Sequence, residues 1–216
     1  FTMFAAPPDN SLEWVDTGVD GSARFLKKLW RFVYLHLEDN KSPSALDVNS
    51  LNPQQKDLRN KIHNTIKKVS DDVGRRYTFN TAIAANMELL NELSAYKVEL
   101  DNDSAVIREG IEAIILMLSP IVPHICSHLW SQLGHSHAIE SEPWPICDEH
   151  ALVRDSIELM VQVNGKLRDK ISVAADADDE TIKAAAQESA KVQNHINEKT
   201  IKKIIVVKGR LVNIVV

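Results

Sequence analysis

Gly21-Ser-Ala-Arg-Phe-Leu-Lys-Lys-Leu-Trp-Arg-Phe-Val-Tyr34 has one regular reading, an amphipathic helix. Phe25, Leu29 and Phe32 recur at helical spacing, and Leu26, Trp30, Val33 and Leu37 fill the neighbouring face, so both sets read as core. Arg24, Lys27, Lys28 and Arg31 fall at i, i+3, i+4 and i+7, which places four cations on one stripe. No acid interrupts that stripe. Adjacent cations repel one another unless something negative lies against them, and a polyanion is the natural opponent.

Working outward, the helix runs from about Asp20 to Glu38. Phe1 to Pro8 reads as the tail of a helix stopped by Pro7 and Pro8. Asp39 to Pro53 is rich in Asn, Ser and Pro and reads as a loop. Pro53 suits the first turn of the next helix, where Leu58, Ile62, Ile66, Val69 and Val73 recur. Lys56, Arg59, His63 and Lys67 are expected on its exposed side. Gly74, Arg75 and Arg76 stand near its end, where cations suit the helix dipole. Thr78 is an expected N-cap for a helix over Phe79 to Tyr96, with Ile83, Met87, Leu90 and Leu93 turned inward. A further helix covers Ser104 to Leu118, and Pro120 and Pro123 interrupt it before a last segment to about Leu133.

The fold class is therefore mainly α: an antiparallel helical bundle followed by a small α+β module. Gly134 to Val153 is polar and His-rich, contains Pro143-Trp144-Pro145 and reads as the boundary. Beyond it the period changes. Leu159 to Val163 and Lys166 to Val173 flank Asn164-Gly165, a type I′ hairpin signal. In the second arm Leu167, Ile171 and Val173 are apolar, while Lys166, Arg168 and Lys170 are expected together on the other face. A helix from Asp178 or Asp179 to about Ile196 is followed by strands at Ile204 to Val207 and Leu211 to Val216. The order β-β-α-β-β makes a module of about sixty residues, near the lower limit for independent stability. The expected domains are 1–146, a linker over 147–153 and 154–216.

The chain has 216 residues with 44% hydrophobic and 25% charged side chains, enough for a sizeable core. Its net charge of −5 disfavours a general nucleic-acid binder, so the distribution carries the argument. Lys56 to Arg76 holds seven Lys or Arg against three Asp, and Lys199 to Val216 five cations and no acid. Asp176 to Glu198 holds six acids against two lysines. Cations are clustered as they would be if particular faces met phosphate; solvated helix surfaces give the plainer explanation. Two cysteines, Cys126 and Cys147, cannot form a disulfide framework and fit a reducing compartment, with the cytoplasm as the expected location. No apolar run reaches membrane-spanning length, and no signal peptide is visible. The opening on Phe1 suggests a fragment of a longer chain.

Several motifs resemble, in order, the C-terminal region of the bacterial leucyl-tRNA synthetase family of class I aminoacyl-tRNA synthetases. They are MFAAPP with RFLKKLW, RRYTFNTAIAANMELLNEL (Arg75 to Leu93), LSPIVPHI..HLW (Leu118 to Trp130), PWP, VQVNGKLRDKI (Val161 to Ile171) and KGRLVNIVV (Lys208 to Val216). Synthetases for valine, isoleucine and methionine share similar bundles; the module ending in GRLVNIVV selects leucine. Two cysteines are too few for the isoleucine enzyme's zinc module, and no sustained heptads match the valine enzyme's coiled coil.

The resemblance implies an anticodon-binding-like bundle and a parent enzyme that joins leucine to tRNA(Leu) using ATP with Mg. The HIGH-type and KMSKS-type motifs of its catalytic domain do not occur here, nor does a phosphate-cradling Gly-rich loop or a Ser-His-Asp pattern. No catalytic centre, cofactor site or metal site is expected in this segment, whose part in catalysis would be positional. The resemblance implies tRNA contacts through Arg24, Lys27, Lys28 and Arg31, through Lys67, Arg75 and Arg76, and through Lys166, Arg168, Lys170, Lys202, Lys203, Lys208 and Arg210. Phosphate contacts of this kind position an RNA without reading its sequence. A monomer with no DNA or membrane partner is the family expectation.

His124 and His128, four apart with Cys126 between them, invite a metal reading, as do His135, His137, Cys147 and His150. No Glu follows His124 as HExxH requires, and Cys126 points about 200° away from it on an ideal helix, so packing roles are expected instead. Trp30 and Trp130 are expected in the core, and Tyr77 beside Arg75 and Arg76 is the aromatic candidate for a nucleobase. The rival readings are a free-standing RNA-binding or assembly module on the same bundle, and a scaffold whose cations are merely solvated.

Overall fold

The computed structural model describes residues 1–39, 45–153, 156–175, 177–196, 201–207 and 209–216. The chain divides into two compact units, Phe1–Val153 and Arg154–Val216.

The first unit is helical. A short α1 (Thr2–Ala5) precedes α2 (Asp16–Asp39), which buries Leu29, Val33 and His36. α3 (Pro53–Asp71) starts on a reciprocal capping box: the Asn52 side chain accepts from the Gln55 N–H while Gln55 accepts from the Asn52 N–H, both at 2.9 Å. Its Leu58, Ile62, Ile66 and Val69 are buried as their spacing demands. α4 (Phe79–Ala95) and α5 (Asp101–Leu118) complete the central layer. α5 closes on both partners at Gly110, where an added Cβ would lie 2.8 Å from Leu93 and 3.1 Å from Ile62. Asp103 ties three helix ends together by accepting from the Glu99 and Leu100 N–H groups, Gln55 Nε2 and the Tyr96 hydroxyl. Burial and Asp103 together push the Tyr96 hydroxyl up to about 12. After the proline-broken turn, α6 (Pro123–Gln132) buries Cys126, Leu129 and Trp130.

Two local expectations change. Thr78 does not cap α4 with its side chain. A π-turn over Asp72–Arg76 carries the chain around the corner, Tyr77 takes a left-handed φ of 56°, and the Thr78 hydroxyl donates to Asp72 instead. Nor is 147–153 a free tether. Trp144 donates to Ser70 Oγ at 2.8 Å, Arg59 pairs with Asp148, and Asn60 donates to the Ala151 carbonyl of α7 (Glu149–Leu152) at 2.8 Å, so the segment packs on α3.

The second unit is a four-stranded sheet in the order β2-β1-β4-β3, with helices on one face. β1 (Ser156–Val163) and β2 (Lys166–Ala174) form the hairpin through Asn164 and Gly165, with φ of 48° and 77°, as a type I′ turn requires. β3 (Lys203–Val207) and β4 (Leu211–Val215) form the other, and β4 runs parallel to β1. The helical stretch, expected as one piece, is divided into α8 (Asp179–Glu188) and α9 (Ala190–Ile196). Ser189 leaves helical geometry to donate to Asp169 at 2.6 Å, and its oxygen accepts from the Val192 N–H. Leu159, Val161, Val163, Val173, Ile182, Ala186, Val192, Val212 and Ile214 form the core of this unit. Among the described residues no helix is long and apolar enough to cross a membrane.

Candidate nucleic-acid interface

α2 presents Arg24, Lys27, Lys28 and Arg31 to solvent, as the spacing requires. Lys28 donates to Asn91 at 2.5 Å. Among the described residues, Arg24, Lys27 and Arg31 have no acidic partner, so this is a stripe of uncompensated charge. Counter-ions or phosphates would be drawn to it.

The α3 cations fare differently. Arg59 and His63, expected on the exposed side, are buried. Arg59 holds Glu109 through Nε at 3.0 Å and Asp148 through Nη2 at 2.9 Å, and His63 Nε2 lies 3.1 Å from Glu109. The Asp148 N–H donates to His63 Nδ1, which assigns the proton to Nε2. Burial opposes ionisation of Glu109, but His63 and Arg59 hold its carboxyl below the usual range. These groups brace α3 against α5 and cannot meet an external phosphate. Lys67 remains exposed, 3.8 Å from Glu149.

At the π-turn, Arg75 makes a bidentate pair with Asp71 at 2.5 and 2.8 Å, and Arg76 pairs with Asp72 at 2.9 Å. The corner is consequently less positive than its sequence suggests. Asp72 is buried, which alone would raise its carboxyl, but Lys68, Thr81 and Thr78 hold it below its ordinary value. Tyr77 is 61% exposed at this corner, beside both arginines.

On the hairpin the expected row of Lys166, Arg168 and Lys170 does not form. Val161 pairs with Asp169 and Gln162 with Leu167, leaving Arg168 as the extra residue of a β-bulge. Beyond the bulge every side chain changes face. Lys170 lies opposite Met160 on the open face, and Leu167 joins it there, 54% exposed rather than buried. Lys166 lies opposite Val163, in register with the helix-covered face. Arg168 Nε is buried with no hydrogen-bond partner. Asp169 occupies the core-side position and is held at about 2 by Ser189, Lys191 and the Lys170 N–H.

The open face brings Lys170 and Arg210 to one shallow depression of about 360 Å³, which Glu158, Met160 and Leu211 also line. Lys170 stands 3.7 Å from Glu158. Lys202 and Lys203 are exposed, and Lys203 is in register with Val215 on that same face. Lys208 lies outside the described residues.

The histidines are not gathered, and among the described residues no group of three or more His, Cys, Asp or Glu could hold a metal ion. His135 stacks on buried Trp130 and bonds Glu112 at 2.9 Å. His124, expected to pack, is exposed. Burial pushes the Cys126 thiol up to about 12, which leaves it unreactive. Trp30, expected in the core, is 39% exposed and stacks with Tyr34 and His128. Its helical row lies at the edge of the apolar face, so periodicity alone could not distinguish boundary from core.

The cation stripe of the bundle and the partly basic open face of the small module are surfaces to which phosphate would be drawn. The sequence model of the family described as the anticodon-binding domain of tRNA ligase matches residues 55–184. The chain belongs to that family. It is 54% identical over its whole length to a leucine–tRNA ligase of Nitrosococcus oceani, covering 26% of that protein. The leucine–tRNA ligase of Chromohalobacter salexigens is 55% identical over the whole chain, which covers 25% of it. The chain thus spans about a quarter of the length of the curated relatives it matches. Among solved structures it is similar to a chain of the ternary complex of Agrobacterium radiobacter K84 agnB2 LeuRS with tRNA and LeuAMS. The TM-score is 0.76 at 25% identity, over 99% of this chain and 28% of that one.

Proposed function

We propose that the chain is the tRNA-binding C-terminal part of a leucine–tRNA ligase, positioning tRNA(Leu) for ATP-dependent aminoacylation by a catalytic domain outside these residues. The observation that carries this reading is the identity of 54–55% along the whole chain to leucine–tRNA ligases. The cations Arg24, Lys27 and Arg31, exposed on one helix face and without an acidic partner among the described residues, add a surface suited to an RNA backbone.

In this reading the α2 stripe and Lys67 contact phosphates along the bundle, and Tyr77 with Arg75 and Arg76 meets the RNA at the π-turn. Lys166, Lys170, Lys202, Lys203, Arg210 and Lys208 serve the small module, with Arg168 held back by its bulge. The two units act as separate tRNA-binding domains. ATP and Mg belong to the catalytic domain, and the whole protein works as a cytoplasmic monomer.

The test is binding of the chain to tRNA(Leu) and to a non-cognate tRNA across a salt series, with Lys27→Ala/Arg31→Ala as the companion. Losing two phosphate contacts should reduce the slope of log K against log salt by roughly 1.8. An unchanged slope in the folded variant removes the α2 stripe from the interface. Preference for tRNA(Leu) would give this segment a share in identity; equal binding would make it a phosphate anchor.

A further inference from the structure

Trp30 on α2 is flanked by Tyr34, one turn further along, and by His128 of α6. Its ring lies 5.2 Å from Tyr34 at an interplanar angle of 26° and 4.7 Å from His128 at 11°. The Tyr34 hydroxyl is 3.0 Å from His128 Nε2, and those two ring centres are 6.5 Å apart. Were the indole sandwiched, Tyr34 and His128 would be separated by the sum of their distances to it. At 6.5 Å they lie side by side against one face of Trp30, joined by their own hydrogen bond. The indole nonetheless remains 39% exposed.

We propose that this cluster is a stacking platform for an unpaired nucleobase of RNA, an assignment that rests on the RNA-binding reading above. The surroundings favour that occupant. On an ideal helix Lys27 lies one turn before Trp30 and about 60° around the axis, and Arg31 follows at about 100°. Both are exposed cations without an acidic partner among the described residues. A flat aromatic face bordered by cations offers a base its π-surface and the adjoining phosphate its counter-charge, the combination that single-stranded nucleic acid requires. A base inside a duplex is already stacked on both sides and cannot use it. The hydrogen bond between Tyr34 and His128 fixes both supporting rings, so little order has to be imposed when the base arrives.

The platform and the RNA-binding reading can fail separately. Binding is measured for the 216-residue chain with tRNA(Leu), with a single-stranded oligoadenylate and with a blunt RNA duplex of equal phosphate number. Trp30→Ala should weaken binding of tRNA(Leu) and oligoadenylate about tenfold while leaving the duplex affinity and all salt slopes unchanged, because stacking releases no counter-ions. Trp30→Tyr should restore most of the loss. A folded Trp30→Ala chain that binds oligoadenylate and tRNA(Leu) as tightly as the parent would overturn the platform and assign the exposed indole to a protein contact, with the cation stripe unaffected. Failure of the parent to bind any of the three RNAs at low salt would remove the RNA-binding reading, and the platform with it. If Trp30→Ala does not fold, indole fluorescence decides: oligoadenylate should quench the parent but not Trp30→Phe, and equal quenching of both would sink the proposal.

Discussion

Four side chains converge on Asp72: Arg76 and Thr78 on one oxygen, Lys68 and Thr81 on the other. Its carboxylate is wholly buried and stands where α3 gives way to the π-turn. Removing it would take the shared acceptor from two half-exposed cations and two hydroxyls, so Asp72→Ala should lower stability by about 1–3 kcal/mol. Urea unfolding checks this, and Arg76→Ala, which deletes one half-exposed partner, should cost far less. Such a hub was not legible from sequence, because Lys68-to-Asp72 spacing suggests only a surface pair worth a few tenths of a kcal/mol. The same blindness hid Arg59 and His63. Their helical positions matched an exposed row, and Glu109, the group that buries them, is fifty residues away in sequence for Arg59. The exposure of Arg24, Lys27 and Arg31 was legible because, among the described residues, no distant acid pairs with them.

At the scale of elements, composition and period recovered α2 to α6 and both hairpins, since each depends on local signals: Pro53 at a helix start, Asn164-Gly165 at a turn. What they could not recover was the consequence of one element touching another. Gly110 is where α5 meets Leu93 and Ile62, a contact that helical period alone does not signal. Gly110→Val should cost about 1–3 kcal/mol by overpacking, seen as a lower thermal midpoint. The bulge at Arg168 likewise depends on Asp169 finding Ser189, at the break between α8 and α9, and Lys191 of α9. Asp169 is held at about 2 against an ordinary 3.8, so its folded form favours the ionised state. Its contribution is complete above pH 3.8 and is lost as pH falls through about 2. The gap in urea midpoint between the chain and Asp169→Asn should therefore narrow across that window and close below it. A constant gap would show that the carboxylate does not pin the bulge.

At the scale of the whole molecule, the segment before the small module is packed on the bundle. Residues 144–152, which overlap the linker expected over 147–153, are held to α3 by Trp144, Asp148 and Ala151. Proteases should spare that stretch in the folded chain, and limited digestion read by mass spectrometry checks it; rapid cleavage within 144–152 would contradict the packing. Trp144→Ala, which frees Ser70, should make the stretch cleavable. The order of the sheet has a consequence of another kind. β4 lies between β1 and β3 although it is the last strand in sequence, and it supplies Val212 and Ile214 to the middle of the core. During synthesis the β1–β2 hairpin and both helices emerge first and find only half a sheet to lie on. The small module therefore cannot close until residues 211–215 have cleared the ribosome, whereas the helices of the first unit, which ends at Val153, can pack while translation continues.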